Sequence, residues 1–205
     1  MLEPNYPVTF FGLNPGGSKW IKPAISNENG SSYLVENWIG KEGKEGKAPL
    51  QKKIQALYTV IASSFSYEVS CNDLLKYSLA TNFVPFRSGS WNDLNGKRKS
   101  ALEFSRNIWS ERISQVPSSL YVTMSKVSFK EIDGILKEQG YSATNSVSPL
   151  VGWGRVKYQI VEYKSNNHQT AVIRLPHLSI YKIFGRAKSQ DAIDHLAVIC
   201  KKYLG

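Results

Sequence analysis

Apolar and polar positions follow two periods along this chain, and the switches between them mark out a mixed α/β protein. Residues 8–13, Val-Thr-Phe-Phe-Gly-Leu, form a nearly unbroken apolar run of the kind a buried strand carries. The run stops at Asn14-Pro15-Gly16-Gly17, which is strong turn chemistry. Residues 50–61 place apolar side chains at 50, 54, 57, 58 and 61, which is helical spacing, with Lys52 and Lys53 on the other face. The apolar stretch from Leu74 to Ala80 leads into a strand ending at Thr81-Asn82, because Pro85 cannot continue a central strand. A helix is predicted over 97–116, stopped by Pro117, and a short strand over 120–124. Residues 128–139 read as a helix, with Ser128 as N-cap, Glu131 completing a capping box and Gly140 as C-cap. Residues 156–163 alternate like a half-exposed strand, and Asn166-Asn167-His168 reads as a turn. A further strand over 170–175 ends at Pro176-His177. Ser189 then caps a last helix with Ile193, Leu196, Ala197 and Cys200 on one face.

Strands alternating with helices predict the α/β class: a three-layer α/β/α sandwich around a mostly parallel central sheet. The hairpin near the end adds an antiparallel element. With 205 residues the chain is long enough for a sizeable core, and a single domain over 1–205 is expected. The polar stretch 18–47 stands out, since structureless loops of that length are uncommon in compact domains. It holds Trp20 and Trp38 and reads as a lid or insert, the alternative being surface disorder.

Ligands of open α/β sheets bind outside the carboxyl ends of the strands. Three predicted strand ends carry polar groups there: Asn14, Asn82 and His177. In a parallel sheet these ends converge on one edge. Singly, each has an ordinary explanation, a turn Asn capping backbone groups or a structural His.

Charge changes the picture. Lys and Arg number 26 against 16 Asp and Glu, a formal net charge of +10, which points to a polyanionic partner, above all nucleic acid. Cys71 and Cys200 are far apart, and His168, His177 and His195 do not cluster, so neither a metal site nor a cofactor is expected. The first residues lack the pattern of a signal peptide, and no apolar run approaches the ~20 residues of a membrane span. A cytoplasmic, membrane-free monomer is the expectation.

Gly12-Leu13-Asn14-Pro15-Gly16 resembles the first active-site motif of the uracil-DNA glycosylase superfamily, in its mismatch-specific and single-strand-selective branches. The main uracil-removing branch has Asp-Pro-Tyr there. Thr81-Asn82-Phe83-Val84-Pro85-Phe86-Arg87 is similar to the middle motif, whose strand-end Asn reads the flipped base. Leu175-Pro176-His177-Leu178-Ser179 resembles the last motif, a strand followed by His-Pro-Ser and a loop that wedges into the duplex. All three occur in the superfamily's order. Leu178 departs from the pattern, since Pro usually follows the His. A gapless register instead aligns Leu178-Ser179 with the Leu-Ser of the main branch and puts Arg174 at the catalytic His position. Both registers stay open, with His177 favoured because Pro-His followed by Ser fits a strand end better. The lack of four clustered cysteines excludes the iron–sulfur branches.

The resemblance implies a monofunctional DNA glycosylase that hydrolyses the bond between deoxyribose and a pyrimidine flipped out of duplex DNA, leaving an abasic site. Asn14 would orient a water by hydrogen bonding, since an amide is no useful base. His177 would donate to the carbonyl oxygen of the departing base. Gly12, Leu13, Pro15, Gly16, Asn82 and Phe83 would form the base pocket. Leu178, Ile180 and Tyr181 are wedge candidates, and Lys182 and Arg186 phosphate contacts, with Ser179 and Arg174 in the same DNA-binding segment. Glycine at 16, where the main branch has a blocking tyrosine, leaves the carbon-5 side of the base open. Trp20, Trp38, Trp91 and Trp153 are candidates to enclose something large. A bulky 5-modified cytosine, such as glucosylated hydroxymethylcytosine in phage DNA, is therefore the favoured substrate, with antiviral defence as the role. The alternatives are a uracil or mismatch repair glycosylase and a catalytically silent module that binds DNA or a modified base.

Overall fold

A computed structural model of the chain describes residues 7–16, 30–39, 43–94 and 96–205. Six strands, β1 (Val8–Gly12), β2 (Leu79–Asn82), β3 (Leu120–Thr123), β4 (Ser142–Val147), β5 (Gln159–Lys164) and β6 (Gln169–Arg174), form one sheet in the order β2-β1-β3-β6-β5-β4. The β2-β1-β3-β6 part is parallel, and β5 and β4 extend it antiparallel. The helices are α1 (Ser32–Val35), α2 (Pro49–Ala62), α3 (Cys71–Lys76), α4 (Arg98–Gln115), α5 (Lys126–Glu138) and α6 (Gln190–Leu204).

Two hydrophobic cores lie on opposite faces of the sheet. One joins Val8, Phe10, Val122 and Ile173 to α2, α3 and α6. The other joins Phe11, Tyr121 and Val172 to α4 and α5. That makes three layers, and it explains why β1 is buried at all five positions and nearly all apolar. No helix among the described residues is long and apolar enough to cross a membrane.

α2 forms where the period placed it. Pro49 sits in its first turn, and Ile54, Leu57, Tyr58 and Ile61 are buried. Its buried Gln51 accepts from the Ala48 N–H at 2.9 Å and donates to the Ser32 and Glu36 carbonyls at 2.9 and 2.8 Å. Gln55 donates to the Tyr33 and Gly46 carbonyls in the same way. The described parts of the 18–47 stretch are thus stitched onto α2, with Tyr33 in the core. Residues 17–29 and 40–42, including Trp20, lie outside the described residues.

Several boundaries differ from expectation. α5 starts earlier, with Ser125 as its N-cap: Ser125 is extended, and its Oγ accepts from the Val127 and Ser128 N–H groups. Ser128 is buried inside the helix, and Glu131 pairs with Arg106 of α4 at 2.9 Å instead of closing a capping box. Gly140 follows the cap residue Gln139 at φ +83°, the left-handed stop that glycine favours. Leu74 and Leu75 belong to α3, capped by Ser70, and not to an approach to β2. β5 begins at Gln159, because Val156 and Lys157 are used in a turn that bridges Lys157 to Leu150. β4 was not anticipated, since five of its six residues are exposed and it shows no alternation.

The antiparallel half is fastened by one buried carboxylate. Glu162 of β5 accepts from Asn145 of β4 at 2.9 Å and from Tyr203 of α6 at 2.5 Å, and pairs with Lys202. Burial alone would raise its pKa. Hydrogen bonds from Lys202, Tyr203 and Asn145 and the Lys202 charge outweigh that and hold it at about 2. A depressed carboxylate stabilises the fold above its unfolded pKa, and that contribution is lost as pH falls towards the folded value. A shift of this size corresponds to about 3 kcal/mol. Glu162→Gln keeps the shape and removes the charge. Urea melts should show the variant less stable than wild type at neutral pH, with the gap closing between pH 4.5 and about 2.

Candidate active site

Three parallel strands deliver the predicted polar residues to one edge of the sheet. Asn14 lies two residues past β1, and its Nδ2 donates to Ser88 Oγ at 2.8 Å and to the Pro15 carbonyl at 3.2 Å. The loops after β1 and β2 are zipped together. Phe83 N–H donates to the Gly12 carbonyl at 3.0 Å, Val84 N–H to Leu13 at 2.8 Å, and Ser88 N–H to Pro15 at 3.1 Å. The turn that carries Asn14 is therefore held by the turn that follows Asn82. Asn14 Oδ1 takes no hydrogen bond from a described residue.

Asn82 closes β2 and pairs in register with Gly12. A Cβ on Gly12 would stand 2.4 Å from Asn82 Oδ1, so glycine here leaves the Asn82 amide room for its position. The Asn82 amide makes no hydrogen bond to a described residue. It faces a cavity of about 390 Å³ lined by Pro15, Thr81, Asn82, Pro85, Ile108 and Trp109. Trp109 is a fixed wall: its indole N–H donates to the Phe83 carbonyl at 2.6 Å, and its ring packs edge-on against Phe11 at 4.8 Å. Phe83 itself, expected in the pocket, is fully buried in the second core and supports that wall through its carbonyl. Gly12 is buried, Leu13 half-buried, and Gly16 exposed, with no atom of a described residue within 4 Å of where its Cβ would be.

His177 stands three residues past β6, exposed, behind the buried Pro176. Its Nδ1 accepts from the Ser179 N–H at 3.3 Å and lies 2.6 Å from Ser179 Oγ. A backbone N–H can only donate, so Nδ1 is the acceptor and the neutral ring carries its proton on Nε2. Lys53 of α2 donates to the Ser179 carbonyl at 3.3 Å. Desolvation first, and the Lys53 charge second, push the His177 pKa below its ordinary value.

Arg174 is placed differently. It ends β6 in register with Thr123, which pairs with Phe11. Three residues on from that row stand Asn14 on one side and His177 on the other, so His177 is the residue that reaches the level of Asn14. Arg174 is half-buried, without an ion pair among the described residues, and desolvation lowers its pKa. β3 lies between β1 and β6, so the loops that carry Asn14 and His177 leave strands that are not direct neighbours. His177 does not line the cavity beside Asn82. The edge is a row of three positions with a cavity at one end.

The wedge assignment needs correcting. Leu178 is 0% exposed and sits in the first core, so it holds the loop down and cannot enter a duplex. Ile180, at 69% exposure, is the apolar tip of this loop. Tyr181 packs edge-on to Trp153, and the Arg186 guanidinium stacks 4.2 Å above the same indole. Lys182 and Ser179 are exposed beside them. Of the other tryptophans, Trp38 packs on Tyr33 and Trp91 against the second core. Sequence reasoning missed Ile108, Trp109 and Lys53, which reach the edge from helices.

Two glycines of one motif should behave oppositely. Gly12→Ala displaces the free end of the Asn82 side chain, so it should move that amide from its place at the cavity while lowering the urea midpoint only slightly. Gly16→Ala, free of neighbours, should be neutral or slightly stabilising. No protein-family model matches this chain, and no curated protein matches it either.

Proposed function

We propose that this chain is a DNA glycosylase of the uracil-DNA glycosylase type, acting as a single domain on a pyrimidine flipped out of duplex DNA. The observation that carries the proposal is that Asn14, Asn82 and His177 stand at the carboxyl ends of β1, β2 and β6, with a cavity large enough for a base beside Asn82. The net charge of +10 suits a polyanionic substrate.

In the proposed reaction the target base enters beside Asn82, whose amide can both donate to and accept from a pyrimidine edge. Asn14, fixed through Nδ2, uses Oδ1 to hold a water against the anomeric carbon. Breaking the bond leaves positive charge on the sugar and negative charge on the base. His177 meets the negative charge with Nε2–H, as a neutral donor and not as an acid. Water supplies the hydroxyl to the sugar and the proton that ends on the base. The open space at Gly16 and the volume of the cavity favour a base enlarged at carbon 5, with glucosylated hydroxymethylcytosine of phage DNA as the leading candidate and antiviral defence as the role.

The test uses three duplexes: plain, uracil-containing and glucosyl-hydroxymethylcytosine-containing. After incubation, alkali breaks the strand at abasic sites. Breaks in the glucosylated duplex are expected. Breaks in uracil DNA alone would give a repair enzyme, and binding without breaks a silent module. Asn14→Ala should slow cleavage by about 10²-fold or more, and His177→Ala by roughly 10²–10³-fold. Gly16→Tyr should suppress the bulky base more than uracil. A histidine with a lowered pKa that works in its neutral form gives a rate that is flat at neutral pH and falls only below the ordinary His range. In His177→Gln that acid limb should vanish.

A further inference from the structure

α4 is apolar on two faces. Ala101 and Ile113 turn to the core, while Phe104 and Ile108, one helical turn apart, are 48% and 42% exposed. Phe86, in the loop after β2, is 42% exposed, and its ring centroid lies 5.3 Å from that of Phe104. Two phenylalanines in contact with each other thus leave nearly half of each ring to solvent, and contiguous exposed apolar surface is a feature of binding sites. The patch runs into the cavity beside Asn82 at two points, because Pro85 and Ile108 line that cavity and adjoin Phe86 and Phe104.

Cations flank it. Arg87 follows Phe86, and Lys97, Arg98 and Lys99 stand at the start of α4, on the Phe104 side. The acids in the same stretch are Asp93, which accepts from the Ser90 N–H, and Glu103, 3.9 Å from Lys99. Exposed rings set among cations suit unpaired nucleic acid, whose bases stack while its phosphates follow the positive charge. A second copy of this chain suits the patch poorly, since two molecules of charge +10 repel. Duplex DNA keeps its base faces stacked and offers none to the rings.

We propose that Phe86 and Phe104 form a stacking platform for the unpaired bases of single-stranded DNA, leading into the cavity beside Asn82. The platform concerns binding and does not depend on bond cleavage. Fluorescence polarisation of the full chain with a labelled short oligothymidine, and with its duplex, tests it. Wild type should bind the single strand more tightly than the duplex. Phe86→Ala/Phe104→Ala should weaken the single-strand complex about tenfold or more, leaving duplex affinity unchanged, with the fold checked by a cooperative thermal melt. Phe86→Tyr/Phe104→Tyr should retain binding. Absence of single-strand binding, or unchanged affinity in the alanine pair, would overturn the platform. So would a shift from dimer to monomer in the alanine pair without loss of oligothymidine. Cleavage assays fail or succeed independently of this result, so the platform and the glycosylase proposal can fall separately.

Discussion

Everything at the edge depends on β1 being buried on both faces. Phe10 packs into one core and Phe11 into the other, each stabilising the fold by about 1.5–3 kcal/mol through burial alone. A strand held that way cannot shift register without moving two cores. Its last residue, Gly12, is fixed against Asn82, and the turn beyond it is bonded to the turn beyond β2. Asn14 and Asn82 therefore belong to one rigid unit. The side-chain contact that fixes them is local, yet its precision comes from aromatic packing on both sides of the sheet.

The parts of the fold legible in the sequence are those whose environment is one-sided and strong. β1 and the helix α2 announce themselves because burial forces their apolar periods. β4 has no such signal: its side chains face solvent, and it is held by backbone pairing and by Asn145 on Glu162. The start of α5 was misplaced because Ser125 and Ser128 are both plausible caps. Beginning at Lys126 buries Phe129, Ile132, Ile135 and Leu136 along one side, so tertiary packing settles what capping chemistry leaves open.

Turn chemistry made the strand-end positions of Asn14, Asn82 and His177 readable, because a strand that stops at Asn-Pro-Gly or Pro-His declares where its edge lies. The cavity was not readable. Trp109 sits 27 residues after Asn82 in a helix whose residues pack on the far side of the sheet from α2, and only the folded chain brings it to Pro15. Leu178 shows the converse error. An apolar residue in a loop beside basic residues looks like a wedge, but the chain turns it inward, and Ile180 two residues later is left outside. Loop sequence gives the composition of such a tip but not which residue forms it.

The surroundings of His177 divide the electrostatic work between two groups. Ser179 fixes the ring through Nδ1, and protonation would put a second donor against that backbone N–H and break the bond. Lys53, anchored on the same loop, disfavours the protonated ring and leaves a full positive charge nearby. Ser179 and Lys53 thus act on the same ring, one through a directed hydrogen bond and the other through charge. Arg174, by contrast, lies inside the sheet row of Phe11 and Thr123, three residues before His177. The position past the strand end therefore belongs to His177, and Arg174 stays within the sheet row.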